Sequence, residues 1–170
     1  MSQYEVKVKY TKELPNATLK RVSENYLLAK AESFTDAEAI VTHAILADIR
    51  GESSIEAIKK VAFQEIMYAD NNEGDWFKCS TTYTSENPDT GKDTTIKNVY
   101  LVQARNIDDA SDIMKEYMGG MQDQFEIPSI VKTSILGVVE DRVLRAVENL
   151  KAFDKKHNVE ITVTYNGKEE

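Results

Sequence analysis

The sequence predicts an α+β protein built from tandem duplicated ββαβ units, packed about a pseudo-twofold with antiparallel sheet and followed by a C-terminal helix and strand. Three observations carry that expectation. Residues 4–11 alternate apolar and charged side chains as a half-buried strand does. Residues 33–41 combine a helix-capping signal with the start of an apolar helical stripe. Both features then return: displaced by 73 positions (83 less 10), Tyr10 meets Tyr83, Thr11 meets Thr84, Glu13 meets Glu86 and Pro15 meets Pro88. The same ungapped displacement pairs Asn25 with Asn98, Leu28 with Leu101, Ala31 with Ala104, Asp36 with Asp109, Ala37 with Ala110 and Ile40 with Ile113.

Each element has a local reason. Tyr4, Val6, Val8 and Tyr10 face one way and Glu5, Lys7 and Lys9 the other, a strand with one buried face. Pro15-Asn16 turns the chain, and residues 20–31 extend again, with Leu27, Ala29 and Ala31 on one side and Tyr26, Leu28 and Lys30 on the other. Thr35 is expected to cap a helix, with Glu38 completing a capping box. Ala37, Ile40, Val41, Ala44 and Ile45 form its buried stripe and Gly51 its stop. A return strand is expected over residues 57–67, where Val61 and Phe63 alternate. The acidic connector 68–75 joins the halves. Ala110, Ile113, Met114, Tyr117 and Met118 then repeat the stripe before Gly119-Gly120. After the loss of one residue, Ile55, Ile58, Phe63 and Ile66 are echoed by Ile127, Ile130, Ile135 and Val138.

One half offers too little apolar sheet to stand alone. Residues 1–140 are therefore expected as one compact domain of two repeats, 4–67 and 76–139. Residues 141–170 form an appendix: an amphipathic helix over 141–157 with Val143, Leu144, Val147, Leu150 and Phe153 on one face, a strand over 160–165, and an acidic tail.

Composition narrows the function classes. The 170 residues carry 21 Lys and Arg against 29 Asp and Glu, a net charge of −8, which argues against a strongly basic nucleic-acid or membrane binder. Cys79 is the single cysteine, so no intrachain disulfide and no cysteine zinc cluster can form. The charged first twenty residues hold no signal-peptide core, and no apolar run reaches membrane-spanning length, so a cytoplasmic protein is expected.

Catalytic chemistry is sparse. His43 falls on the solvent flank of the first helix opposite Glu116 in the repeat, and His157 sits near the end of the third helix. Cys79 matches Val6 on an inward face, and Met114, Met118 and Met121 read as core. The connector Asp70-Asn71-Asn72-Glu73-Gly74-Asp75 departs from a calcium loop, with glycine at the fifth place and no glutamate at the twelfth. The expectation is therefore no enzyme, no cofactor and no metal. What remains is a pair of hairpins that interleave cations and rings, as stacking on bases and pairing with phosphates require. The candidate nucleic-acid-binding residues are Lys7, Lys9, Tyr10, Tyr26 and Lys30 in the first hairpin and Trp76, Lys78, Tyr83 and Arg105 in and after the second. The leading expectation is a single-stranded DNA binder. Its alternatives are an oligomeric protein-interaction or inhibitor module, acting on itself or on a host protein, and a protein that sequesters a small nucleotide at the joint between halves.

The runs Trp76-Phe77-Lys78-Cys79 and Tyr100-Leu101-Val102-Gln103-Ala104, with residues 26–39 of the first half, resemble a domain-of-unknown-function family of gut bacteroidete bacteria and their tailed phages. The resemblance covers residues 4–140. It implies a phage or mobile-element setting and transfers no site residues.

Overall fold

The computed structural model describes residues 1–120 and 124–140. The expected helix 141–157, the strand 160–165, His157 and Met121 lie outside the described residues. In chain order the elements are β1 (Ser2–Glu13), β2 (Leu19–Ala31), α1 (Phe34–Ala44), a 3-10 turn (Leu46–Asp48), β3 (Ser53–Val61), β4 (Ile66–Met67), β5 (Asp75–Glu86), β6 (Asp93–Ala104), α2 (Ile107–Met118), β7 (Phe125–Lys132) and β8 (Ile135–Val139). They form two compact units. Met1–Ala62 with β8 make the first, and Phe63–Ser134 the second.

The expected fold class is corrected by these elements. Strands hold 53% of the described residues and helices 19%, so the protein is mostly β. Nor does a contiguous ββαβ stretch make a finished unit. The first sheet runs β3-β1-β2-β8 and the second β4-β6-β5-β7, four strands each. The run 57–67, expected as one strand, breaks after Val61, and its last two residues pair parallel to β6 in the second sheet. β8 follows β7 in sequence yet pairs parallel to β2 in the first. A parallel partner of that kind leaves no mark on local hydrophobic alternation, which is why pattern reading assigned both strands to the wrong sheets.

In the first unit the face of β1 that carries Tyr4, Val6 and Val8 meets Ala37, Val41, Ala44 and Ile45 of the α1 segment, with Tyr26, Leu28 and Ala31 from β2. Each valine, leucine or isoleucine among them taken fully out of water contributes roughly 1.5–3 kcal/mol, and each alanine less. The second unit repeats this with Phe77, Cys79, Tyr100, Val102 and Ala104 under Ala110, Met114 and Met118.

The alignment without gaps also needs correction. Val6 pairs with Tyr26 and Cys79 with Tyr100, so the displacement of 73 between β1 and β5 becomes 74 between β2 and β6 (100 less 26). The second hairpin loop is longer by one residue. The first hairpin absorbs the difference in a bulge between the pairs Ser2↔Ala31 and Tyr4↔Leu28, which brings Ala31 onto the face of Leu28, not that of Leu27 as expected.

Both helices open with the same device, which in α1 lies two residues earlier than the sequence suggested. Ser33, extended at φ −154°, accepts the Asp36 N–H at 3.1 Å, and Asp36 accepts the Glu32 N–H at 2.9 Å. Asn106 accepts the Asp109 N–H at 2.8 Å, and Asp109 accepts the Arg105 N–H at 3.0 Å. Thr35 already lies inside α1, so the capping side chains are Ser33 and Asp36, the latter holding the Glu32 N–H, not Thr35 and Glu38. α1 ends where the Ile45 N–H reaches Val41 O, well before Gly51.

Candidate functional site

The first unit holds a cleft of about 830 Å³ between the outer half of the β1–β2 hairpin, the end of α1 and the chain that follows it. Its floor follows from strand parity. Tyr10, on the helix side of β1, and Glu24 and Tyr26, on the same side of β2, come together because the pairs are Val8↔Glu24 and Val6↔Tyr26. Tyr10 donates its hydroxyl to Glu24 Oε1 at 2.6 Å, and Tyr26 donates its own to Glu24 Oε2. A carboxylate held at both oxygens is fixed in place. Ala44, Ile45 and Ile49 form the apolar wall. Leu19 and Leu136, 69% and 49% exposed, stand beside it. The charged lining comprises Glu13, Glu24, Asp48 and Glu52 against Lys12 and Arg50, and of these six only Glu24 is partly withdrawn from solvent.

The second unit has the same scaffold and fills the same place. Tyr83 matches Tyr10, Tyr100 matches Tyr26, and Asn98 stands where the first unit has Glu24. At the helix position of Ala44 the second unit carries Tyr117, whose ring meets Tyr100 edge-on at 5.6 Å between centroids. Tyr117 donates its hydroxyl to Glu65 at 2.6 Å. Glu65 precedes β4 as Gly137 occupies β8: Ile66 pairs with Leu101 where Val138 pairs with Leu27. The two side chains that cover Tyr100 are thus replaced by alanine and glycine beside Tyr26. The bond to Glu65 pushes the Tyr117 phenol up to about 12, and burial raises that of Tyr100.

Within neither unit do the residues expected to bind nucleic acid share one face. Tyr10 and Tyr26 meet in the cleft, on the helix side of the first sheet, whereas Lys7 and Lys9 point from its other side. Lys7 also pairs with Glu56 at 3.5 Å. Lys30 is exposed at the β2 bulge. Trp76 shares the outward parity of Lys78 but is 3% exposed, its ring 5.4 Å from that of Tyr68, so no base can stack on it. Tyr83 lies half-buried on the opposite side of β5. Arg105 stands before α2 and binds Asp109 at 3.4 Å. The interleaving visible along the chain is divided by the sheet into two faces.

The family described as a domain of unknown function, DUF4494, matches residues 2–141. The chain belongs to that family. No curated protein matches it. The DUF4494 match spans all described elements of both units, so cleft and filled counterpart lie inside the family's own extent.

Elsewhere the DUF4494 domain offers little reactive chemistry among its described residues. Cys79 is fully buried, and burial pushes its thiol up to about 11. His43 is exposed on α1. No group of three or more His, Cys, Asp or Glu side chains is placed to hold a metal ion, and no helix is long and apolar enough to cross a membrane.

Sequence reasoning missed Glu24, Ala44 and Gly137. Glu24 carried a usable signal: it interrupts the inward series Val22, Tyr26, Leu28 with a carboxylate, and an inward charge on a strand calls for partners. Gly137 carried none, because its neighbour Tyr26 is known only once β8 is placed beside β2.

Proposed function

We propose that this protein is a non-enzymatic binding module that captures a segment of a partner protein in the cleft of its first unit. The observation behind this reading is the contrast at one site of a shared scaffold. Tyr117 and Glu65 occupy the space beside Tyr100 in the second unit, whereas the first unit has Ala44 and Gly137 there and keeps an 830 Å³ hollow that the buried Tyr26 helps to line. A hollow of that size suits a few side chains of an extended segment. The cytoplasmic, phage or mobile-element setting belongs to the same proposal, and host proteins are the partners it would offer. The test is selection from a random peptide library on the wild-type protein, with counter-selection on Ala44→Tyr. The reading expects peptides that bind the wild type one-to-one and lose at least about tenfold in affinity on the variant. Equal binding to both, or no enrichment, overturns it.

A second proposal, binding of single-stranded nucleic acid without ring stacking, draws on the other side of the first sheet. There Lys9, Arg21 and Ser54 border a hollow of about 250 Å³ at the β3 edge, which Glu52 also lines. Binding of an oligonucleotide that falls steeply with salt and disappears in Lys9→Glu/Arg21→Glu would support it; a salt-independent or unchanged response would remove it.

A further inference from the structure

We infer that the occupant of the cleft is an arginine-bearing, partly apolar peptide segment, recognised through Glu24; this rests on the cleft reading above and specifies its ligand. Three features converge. First, the charge set deepest in the cleft is negative, because Lys12 and Arg50 are exposed whereas Glu24 is partly withdrawn and held by two hydroxyls. An anionic ligand such as a nucleotide phosphate would meet that carboxylate at the floor, and a cation meets its complement. Second, each Glu24 oxygen accepts one phenolic hydrogen bond and keeps capacity for another, so the carboxylate edge can still accept a pair of donors. A planar guanidinium donates to such an edge with two parallel N–H groups and sheds water more readily than an ammonium. Third, exposed Leu19 and Leu136 line the same cleft as the carboxylate. Apolar side chains flanking the arginine would cover them.

The second unit lacks this chemistry at the matching place, since Asn98 replaces Glu24 and Tyr117 occupies the space. The full chain therefore carries one such site among its described residues.

The experiment uses full-length protein and three capped peptides, acetyl-Leu-Arg-Leu-amide and its lysine and citrulline analogues, followed by backbone amide shifts in NMR titrations. Citrulline keeps the shape of arginine and removes the charge. The arginine peptide should move the amides of Tyr10, Tyr26, Ala44 and Leu136, bind about tenfold more tightly than the citrulline peptide, and lose that advantage in Glu24→Gln. The lysine peptide should fall between them. Equal affinity for arginine and citrulline peptides at those amides overturns the inference and leaves the cleft reading standing. No shifts at the cleft with any peptide overturn both. An arginine preference that survives in Glu24→Gln moves recognition to other carboxylates and overturns the assignment to Glu24.

Discussion

The two units place the same sheet order and the same helix over the same strand pair, and they differ where a hollow is either kept or filled. In the first, Ala44 ends the buried stripe of α1; in the second, Tyr117 stands there and bridges Tyr100 to Glu65. The scaffold is thus set by the shared interior, Ala37 with Ala110, Val41 with Met114 and Ile45 with Met118, and each unit's surface by two or three side chains beside it. A cleft of this kind is made by subtraction. It leaves a buried tyrosine and a tethered carboxylate among the residues that line it.

The comparison is sharpened most strongly in the shared interior. Met114→Ala, at a site fully buried under α2, should cost about 2–5 kcal/mol, and Val41→Ala at the matching place in α1 about 1–3 kcal/mol, both read from urea unfolding. A cost well below about 1 kcal/mol at either site would show that its helix does not carry an equivalent core. Next comes Gly74, at φ +124°, where an added Cβ would lie 2.5 Å from Ala104 O; Gly74→Ala should cost about 1–3 kcal/mol. Gly51, at φ +95° beside the cleft, has nothing within 4 Å, so Gly51→Ala should cost less than Gly74→Ala.

Tyr117→Phe removes the hydroxyl bond to Glu65 and should cost at most about 1 kcal/mol, since the ring is 46% exposed and water screens the bond. The pH dependence fixes the sign. The phenol is raised from 10.0 to about 12 in the folded state, so its contribution is complete below pH 10 and is lost as pH rises towards 12. Wild type should therefore lose stability across that window relative to Tyr117→Phe. A parallel course would remove the Glu65 bond from the account. The smallest effect is expected at Cys79, which occupies the place of Val6. Cys79→Val should change stability by less than about 1 kcal/mol, and the buried thiol should react with iodoacetamide only on unfolding.

These contrasts also show what the amino-acid order alone could disclose. Strand parity in β1 and the apolar stripes of both helices are local, and Tyr4, Val6, Val8, Ala37 and Val41 were readable as core from spacing alone. The sheet partners of β4 and β8 were not, because a two-residue strand and a five-residue strand carry no record of the strand they lie beside. The bulge after Leu28 was equally silent, since it is set by a loop one residue shorter at the far end of the hairpin. The cleft stayed hidden for the same reason. Tyr10 and Tyr26 were visible as aromatics and were grouped with Lys7 and Lys9 along the chain, but the sheet sends the lysines to its other side.

The most direct test of the account is an amide-resolved NMR titration of the full-length protein with the library-selected peptide, run on wild type and Ala44→Tyr. Shifts confined to Tyr10, Glu24, Tyr26, Ala44 and Leu136, silent at Tyr83, Asn98, Tyr100 and Tyr117, and abolished in the variant are the predicted result. Shifts centred on the second unit, or on Lys7 and Lys9, or unchanged in Ala44→Tyr, would contradict it.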